Sequence, residues 1–204
     1  MLLRVSGFGD VPGIVIYGLH GVERWEDGQL RAPSPPAGLL ELRLSLPGLL
    51  ASVADDGAIW IEDKNLSLVI HTRLTADPDR RLETLRAPIT EAAAAAGLEA
   101  RPGKEVLEIC IPGTDKGTAI RELIRDETTA VLYAGDDVDL PAVQEVNAWA
   151  DRSGRPTLAV AVSPSGQGPL DELADVTVPD PRSLISLLRQ IGGDGNRPAR
   201  RGEK

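Results

Sequence analysis

The sequence predicts an α/β protein in which a doubly wound parallel sheet is combined with an inserted α+β unit. An apolar run over residues 130–134 breaks at Gly135 into clustered acids, which is typical of a buried strand that ends at the ligand-binding edge of such a sheet. Strands and helices alternate after residue 112, whereas residues 39–112 give the order helix, strand, strand, helix, strand, strand. Two structurally different parts are therefore expected.

The N-terminal stretch predicts a strand and a hairpin before a linker. Residues 12–19 are apolar and run into His20 and Gly21, and the pair Asp27-Gly28 indicates a tight turn between two strands. Residues 31–38 contain prolines at three of five consecutive positions, which excludes a helix or a central strand there. A boundary is expected in this linker.

The inserted unit begins with leucines at helical spacing over residues 39–54, where Pro47 starts or kinks a turn. Two alternating segments follow, and Lys64-Asn65 joins them as a hairpin. Asp77 and Pro78 open a capped helix that ends at Gly97. The segments expected to be strands are 57–63, 66–73, 98–102 and 105–112.

The alternating half opens with a helix after Gly117 and continues through the organising strand at 129–134. The later elements are a helix at about 141–153, strands at 157–162 and 176–178, and a helix at about 181–191. Residues 192–204 lack apolar periodicity and are expected to be a disordered tail.

Composition restricts the classes of function. The 204 residues carry a net charge of -9, which argues against binding to nucleic acids or to anionic membranes. No apolar run approaches the roughly 20 residues of a membrane span, and residues 1–4 do not lead into a signal-peptide core, so a cytoplasmic location is expected. The single Cys110 excludes a disulfide framework.

Three acids within four residues, Asp136, Asp137 and Asp139, repel one another unless a cation lies among them. Mg²⁺ prefers oxygen ligands and leaves positions for a phosphate, so the cluster suggests a magnesium site. The alternative is that one aspartate caps the helix that starts near Pro141.

The few lysines of the chain are a second indication of where an anionic substrate could bind. The chain has only four lysines beside 18 arginines. Lys64, Lys104 and Lys116 lie beside motif-like residues, and a compact ammonium differs from a guanidinium in reach and hydration. The alternative is that these lysines lie beside the motif-like residues by chance. An anionic substrate of this acidic chain would need such local positive charges.

Six short motifs occur in a fixed order: His20-Gly21-Val22-Glu23, Glu62-Asp63-Lys64, His71-Thr72-Arg73, Gly103-Lys104-Glu105-Val106-Leu107-Glu108, Asp115-Lys116-Gly117 and Gly135-Asp136-Asp137. Through these motifs the chain resembles the trehalose-6-phosphate phosphatases of the haloacid-dehalogenase superfamily over about residues 12–191. Each piece alone is a weak signal, and their order and spacing carry the resemblance.

The resemblance implies a Rossmann-like core with an inserted cap domain. The expected division is 1–34 as the N-terminal part of the core, 35–111 as the α+β cap, 112–191 as the C-terminal part of the core, and 192–204 as the tail. Lys116 matches the family's catalytic lysine, and Asp136 with Asp137 matches its Mg²⁺-binding acids. The alternatives are that Lys116 merely flanks the start of a helix and that Asp137 caps one.

In the cap and beside it, the resemblance implies sugar-recognition roles for His20 and for residues on two hairpins. A disaccharide presents hydroxyls, which need both donors and acceptors from rigid strands. The alternative for His71 and Arg73 is a solvated strand face. The cap positions are Glu62, Lys64, His71, Arg73, Lys104 and Glu108.

Three departures from the family pattern put its activity in doubt. The nucleophile motif, a strand ending in Asp-x-Asp-Gly, is absent, and the only acid before the His-Gly strand is Asp10. Ser6 is a poor match to the family's next motif, because little chain separates it from His20. The motif at Asp136 is one residue short, which leaves Asp139 out of register.

Three functions therefore stay open. The first is a trehalose-6-phosphate phosphatase whose N-terminal segment is missing, so that this chain is inactive. The second is a non-catalytic relative that binds a sugar phosphate or associates with the trehalose-6-phosphate synthase. The third is an unrelated doubly wound binding module.

Overall fold

The computed structural model describes residues 7–8, 11–53 and 57–194, which fall into two compact units divided between Thr114 and Asp115. The candidates Ser6 and Asp10 lie outside the described residues, as do positions 195–204 of the predicted tail. Within the described ranges, no helix is both long and apolar enough to cross a bilayer.

The N-terminal unit contains a small antiparallel sheet of order β1-β2-β3. Its strands are β1 Val15–Gly18, β2 Glu23–Glu26 and β3 Gln29–Arg31. The predicted hairpin is confirmed, because Asp27 (φ 49°) and Gly28 (φ 79°) make the left-handed turn between β2 and β3. Among the described residues, these strands pair only with one another.

The same unit contains a four-stranded antiparallel sheet of order β4-β5-β7-β6 covered by two helices, which confirms the predicted α+β unit. Asp77 caps the second helix by accepting the N–H of Arg80 at 3.1 Å. Its elements are α1 Ala37–Val53, β4 Trp60–Asp63, β5 Leu68–His71, α2 Pro78–Ala95, β6 Glu99–Gly103 and β7 Val106–Cys110.

The two faces of this sheet differ in chemistry because side chains alternate along each strand. One face packs on α1 and α2 and forms the main core of the unit. The other face carries most of the candidate sugar-binding residues. The largest core side chains are Leu39, Leu46, Leu68, Ile70, Leu85, Ile89, Leu107 and Ile109.

The C-terminal unit contains a parallel sheet of order β10-β9-β8 with helices, as the sequence predicts for a doubly wound half. Val143, Ala159, Ala161 and Leu170 form its core. Its elements are α3 Lys116–Leu123, β8 Val131–Gly135, α4 Leu140–Ser153, β9 Thr157–Val162, β10 Val176–Val178 and α5 Pro181–Asp194.

Strand β8 corrects the expectation of a buried organising strand. It lies at the edge of the described parallel sheet, and Leu132 on it is 41% exposed. An edge strand has a neighbouring strand on one side only and is therefore more exposed than a central strand. Apolar composition does not show which position a strand takes, so the exposure of β8 was not predicted. The last helix also continues to Asp194, three residues beyond its predicted end.

Candidate functional site

The acids follow β8 directly: Asp136 is the N-cap of a 3₁₀ turn that spans Asp137–Asp139. The Asp136 carboxylate accepts the N–H of Val138, and the Asp139 carboxylate accepts the N–H of Asp136, each at 3.1 Å. This reciprocal capping satisfies amides that the turn would otherwise leave without partners. The predicted capping alternative is thus correct in kind, but the capped element is this turn and not the helix near Pro141.

Lys116 is the first residue of α3, and its ammonium forms an ion pair with Asp139. The helix start is fixed by Asp115, whose carboxylate accepts the N–H of Thr118 at 2.7 Å. Asp139 is only 9% exposed, and burial together with this nearby carboxylate raises the pKa of Tyr133. Asp139, which the sequence left out of register, is therefore the charge partner of the candidate catalytic lysine.

Two glycines make room for the acids. A Cβ on Gly135 would overlap the carboxylate of Asp139, and a Cβ on Gly168 would overlap that of Asp137. Asp137 also accepts the N–H of Leu170 at 3.1 Å, so the loop at 168–170 holds it in place. The absence of side chains at the two glycines is a steric requirement of this arrangement.

The donor set agrees in chemistry with Mg²⁺ but does not form a closed cage. Asp136 and Asp137 each accept hydrogen bonds from described residues through Oδ1 only, which leaves two carboxylate oxygens. Asp139 is neutralised by Lys116, and in the described ranges no three His, Cys, Asp or Glu side chains converge as a metal site. Mg²⁺ is commonly held by one or two carboxylates together with phosphate and water.

Glu108 on β7 is the centre of a cluster on the polar face of the four-stranded sheet. It accepts hydrogen bonds from His20 Nε2 at 3.0 Å and from the Ser67 hydroxyl at 2.8 Å, and Lys64 Nζ lies 3.8 Å away. The hydrogen bond from His20, aided by Ser67 and Lys64, lowers the pKa of Glu108 to about 2 against the opposing effect of burial.

His20 reaches Glu108 from a strained turn between β1 and β2. Leu19 (φ 48°) and His20 (φ 59°) both adopt the left-handed conformation, which residues with a Cβ rarely accept. Strain of this kind persists only where surrounding contacts enforce it. The contact with Glu108 is one such constraint, and it connects the two sheets of the N-terminal unit.

A second cluster on the same face joins Glu62, His71 and Arg73. His71 Nε2 lies 3.1 Å from Glu62 Oε2, and Arg73 Nη2 lies 2.9 Å from His71 Nδ1. A guanidinium can only donate, so Nδ1 must accept and the ring proton must be on Nε2, from which it is donated to Glu62. The ring of Trp60 stacks on His71 with centroids 3.7 Å apart and planes 2° apart.

Most of the predicted residues have neighbours among the other predicted residues of their own unit. Lys116, Asp136 and Asp137 lie in the C-terminal unit, and the clusters around Glu108 and His71 lie in the N-terminal unit. Lys104 is exposed in the β6–β7 turn and forms no hydrogen bond or ion pair with the described residues of the clusters.

Sequence reasoning named Asp139 as a clustered acid but missed its pairing with Lys116, and it missed Ser67 and Trp60. The capping spacing from Asp136 to Asp139 was a signal for Asp139. Trp60 shares a strand face with Glu62, two residues away, which was a signal for Trp60. The contact of Ser67 depends on the pairing of β5 with β7, which local sequence does not reveal.

The comparisons with known proteins agree with this architecture. No protein-family model matches the chain. A relative from Thermoplasma acidophilum, described as a trehalose-6-phosphate phosphatase-related protein, is 35% identical over 109 residues, or 49% of this chain. The matched part spans 45% of the relative's length, less than half of it.

Three solved structures share the fold. A trehalose-6-phosphate phosphatase-related protein is 25% identical with a TM-score of 0.67, over 90% of this chain and 75% of that one. The Aspergillus fumigatus trehalose-6-phosphate phosphatase is 19% identical, with a TM-score of 0.65 over 95% and 74% of the two chains. The C-terminal domain of the Candida albicans trehalose synthase regulatory protein is 16% identical, with a TM-score of 0.69 over 89% and 75%.

The fold class is therefore that of the haloacid-dehalogenase phosphatases, an α/β core with a cap domain. Within that class, the resemblance to the trehalose-6-phosphate phosphatases is confirmed by the sequence relative and by the structural neighbours.

Proposed function

We propose that this chain carries the sugar-recognition and phosphate-binding parts of a trehalose-6-phosphate phosphatase, which hydrolyses trehalose 6-phosphate to trehalose and phosphate in trehalose biosynthesis. The observation that carries the proposal is the polar face of the four-stranded sheet. On it, Glu62 is hydrogen-bonded to His71 of the same sheet, and Glu108 is hydrogen-bonded to His20 from the turn between β1 and β2.

This face has the chemistry that a disaccharide requires. Sugar hydroxyls both donate and accept hydrogen bonds, so a specific site needs carboxylates beside cationic donors. Glu62 accepts from His71 through Oε2, which leaves Oε1 for a ligand, and Arg73 and Lys64 supply donors. Anchoring by histidines reduces the conformational entropy that these side chains would lose on binding.

The phosphate would be held in the C-terminal unit by Lys116 and, through a bound Mg²⁺, by Asp136 and Asp137. An ammonium has three donors, so Lys116 can retain Asp139 and still donate to a phosphate oxygen. Mg²⁺, when bound by Asp136 and Asp137, would supply positive charge to the phosphoryl oxygens. In this proposal Lys116 neutralises the transferring group and is not the nucleophile.

These 204 residues are proposed to lack the nucleophile. The Asp-x-Asp sequences at 77–79 and 137–139 are not followed by glycine. Asp77 caps α2, and Asp139 is paired with Lys116. Enzymes that hydrolyse phosphate monoesters must lower a barrier by on the order of 20 kcal/mol, and charge stabilisation alone does not supply the covalent step.

A phosphate-release assay tests the proposal. Residues 1–204 are assayed with trehalose 6-phosphate and Mg²⁺ beside a longer chain extended upstream to a strand that ends in Asp-x-Asp-Gly. We expect turnover by the longer chain and none by the 204 residues. Equal turnover by both would refute the assignment of the missing nucleophile, and turnover by neither would count against the phosphatase.

A second candidate is a non-catalytic or regulatory relative that associates with the trehalose-6-phosphate synthase. It is favoured by the lack of an Asp-x-Asp-Gly motif and by the likeness in fold to the trehalose synthase regulatory protein. In that case the chain binds trehalose 6-phosphate or the synthase, and no upstream extension restores hydrolysis.

A further inference from the structure

We infer that Trp60 is an aromatic platform for the sugar ring that binds beside Glu62. Trp60 would then favour sugar phosphates over phosphate esters that carry no sugar. This inference rests on the proposed function and extends it to a residue outside the motifs that carry the resemblance. It is carried by the position of Trp60 in the sheet, its stacking and its exposure.

Trp60 has one covered ring face and one that solvent can reach. It lies opposite His71 in the β4–β5 register, and the two rings stack in parallel at 3.7 Å. His71 beneath it is 5% exposed, whereas Trp60 is 40% exposed. Because one indole face covers the imidazole, the exposed area of the Trp60 ring lies on its edges and its opposite face.

The position of Trp60 relative to Glu62 suits a sugar. Residues two apart on a strand share a face and are about 7 Å apart, a distance that one pyranose ring can bridge. Glu62 Oε1 accepts no hydrogen bond from the described residues, because the contact with His71 uses Oε2. The aromatic platform of Trp60 thus lies beside the carboxylate of Glu62, which can accept hydrogen bonds. This pair matches a sugar, whose ring presents C–H groups on its face and hydroxyls at its edges.

Hydrogen bonds hold the ring of His71, on which the Trp60 platform stacks. Arg73 donates to His71 Nδ1, and His71 donates to Glu62, so the ring under Trp60 is held at both nitrogens. A platform held in this way loses little side-chain freedom when a ligand binds. The purely structural alternative, in which Trp60 only shields His71, predicts no dependence of sugar affinity on the aromatic ring.

The test compares two substitutions in the full 204-residue chain. Trp60→Phe keeps a flat ring, and Trp60→Leu keeps apolar cover for His71 without one. Calorimetric titration with trehalose 6-phosphate and, separately, with inorganic phosphate gives the affinities. We expect Trp60→Leu to weaken trehalose 6-phosphate binding about fivefold to tenfold, Trp60→Phe to change it less than about threefold, and phosphate affinity to stay unchanged.

Trp60 fluorescence supplies an independent measurement, obtained as the difference in emission between the wild type and Trp60→Phe. Saturating trehalose 6-phosphate should change this emission, and inorganic phosphate should not. Unaltered emission would overturn the inference even if Trp60→Leu failed to fold. Wild-type affinity in Trp60→Leu, or an equal loss for inorganic phosphate, would also overturn it. Failure of the wild type to bind trehalose 6-phosphate would instead refute the proposed function and, with it, the inference.

Discussion

Lys116 at the start of α3 forms an ion pair with Asp139, which follows β8 and is nearly buried. Asp139 also accepts the N–H of Asp136, so one carboxylate ties the candidate catalytic lysine to the candidate metal-binding turn. Lys116 is partly exposed and Asp139 is not, which makes the lysine the partner that can turn to a ligand.

Removal of the Lys116 charge should destabilise the C-terminal unit. Lys116→Met leaves a buried carboxylate without its cation, and we expect a loss of about 1–3 kcal/mol in the free energy of unfolding. Arg121→Met, which breaks the more exposed pair with Glu145, is the control and should cost less than about 1 kcal/mol. Chemical denaturation measures both, and equal losses would contradict the importance assigned to the Lys116–Asp139 pair.

Gly168→Ala should weaken Mg²⁺ binding without unfolding the protein. The added methyl overlaps the Asp137 carboxylate, which must then move away from its present position. We expect at least about a fivefold loss in Mg²⁺ affinity by calorimetry, equivalent to about 1 kcal/mol. Gly193→Ala, where a Cβ meets open space, is the matched control. Retained affinity in Gly168→Ala would argue against Asp137 as a ligand.

Glu108→Gln should reduce the dependence of stability on acid pH. The pKa of Glu108 is about 2 in the folded protein against an ordinary value of 4.5, so its contribution is complete above about pH 4.5 and is lost as the pH falls toward 2. We expect the variant to be less stable than the wild type by about 2–3 kcal/mol at pH 7 and nearly equal to it at pH 2.

The control for this pH profile is Glu91→Gln, at an exposed position on α2. Its stability should run parallel to that of the wild type from pH 2 to pH 7. If the stability of Glu108→Gln also runs parallel to that of the wild type over this pH range, the hydrogen bonds from His20 and Ser67 do not favour the ionised carboxylate of Glu108.

Local sequence signals predicted most of the elements of the fold. Strands β9 and β10 have the bounds that the apolar runs indicated, and the Asp77 cap and the Asp27-Gly28 turn occur as expected. These features depend on backbone preferences within a few residues, which a single sequence contains. The exposure of β8 depends on which strands pair, and apolar composition does not give that information.

The candidate site was predictable where residues share a strand or a motif. The two-residue period of a strand predicted a common face for His71 and Arg73, although β5 ends at His71 and Arg73 lies just beyond it. The approach of His20 to Glu108 joins positions 88 residues apart through a strained turn, and the pairing of Lys116 with Asp139 spans 23 residues. Such contacts come from tertiary packing, and the capping that fixes Asp139 is visible only once the turn is known.

Calorimetric titration of the 204-residue chain with trehalose 6-phosphate in the presence of Mg²⁺ directly tests whether the polar face of the four-stranded sheet binds sugar. Glu62→Gln removes the charge of an acceptor on the polar face, and Glu83→Gln alters an exposed helical glutamate of the same unit as the control. We predict binding by the wild type and the control, and about a tenfold loss in Glu62→Gln. Absence of wild-type binding, or equal affinity in Glu62→Gln, would contradict the assignment of this face to sugar recognition.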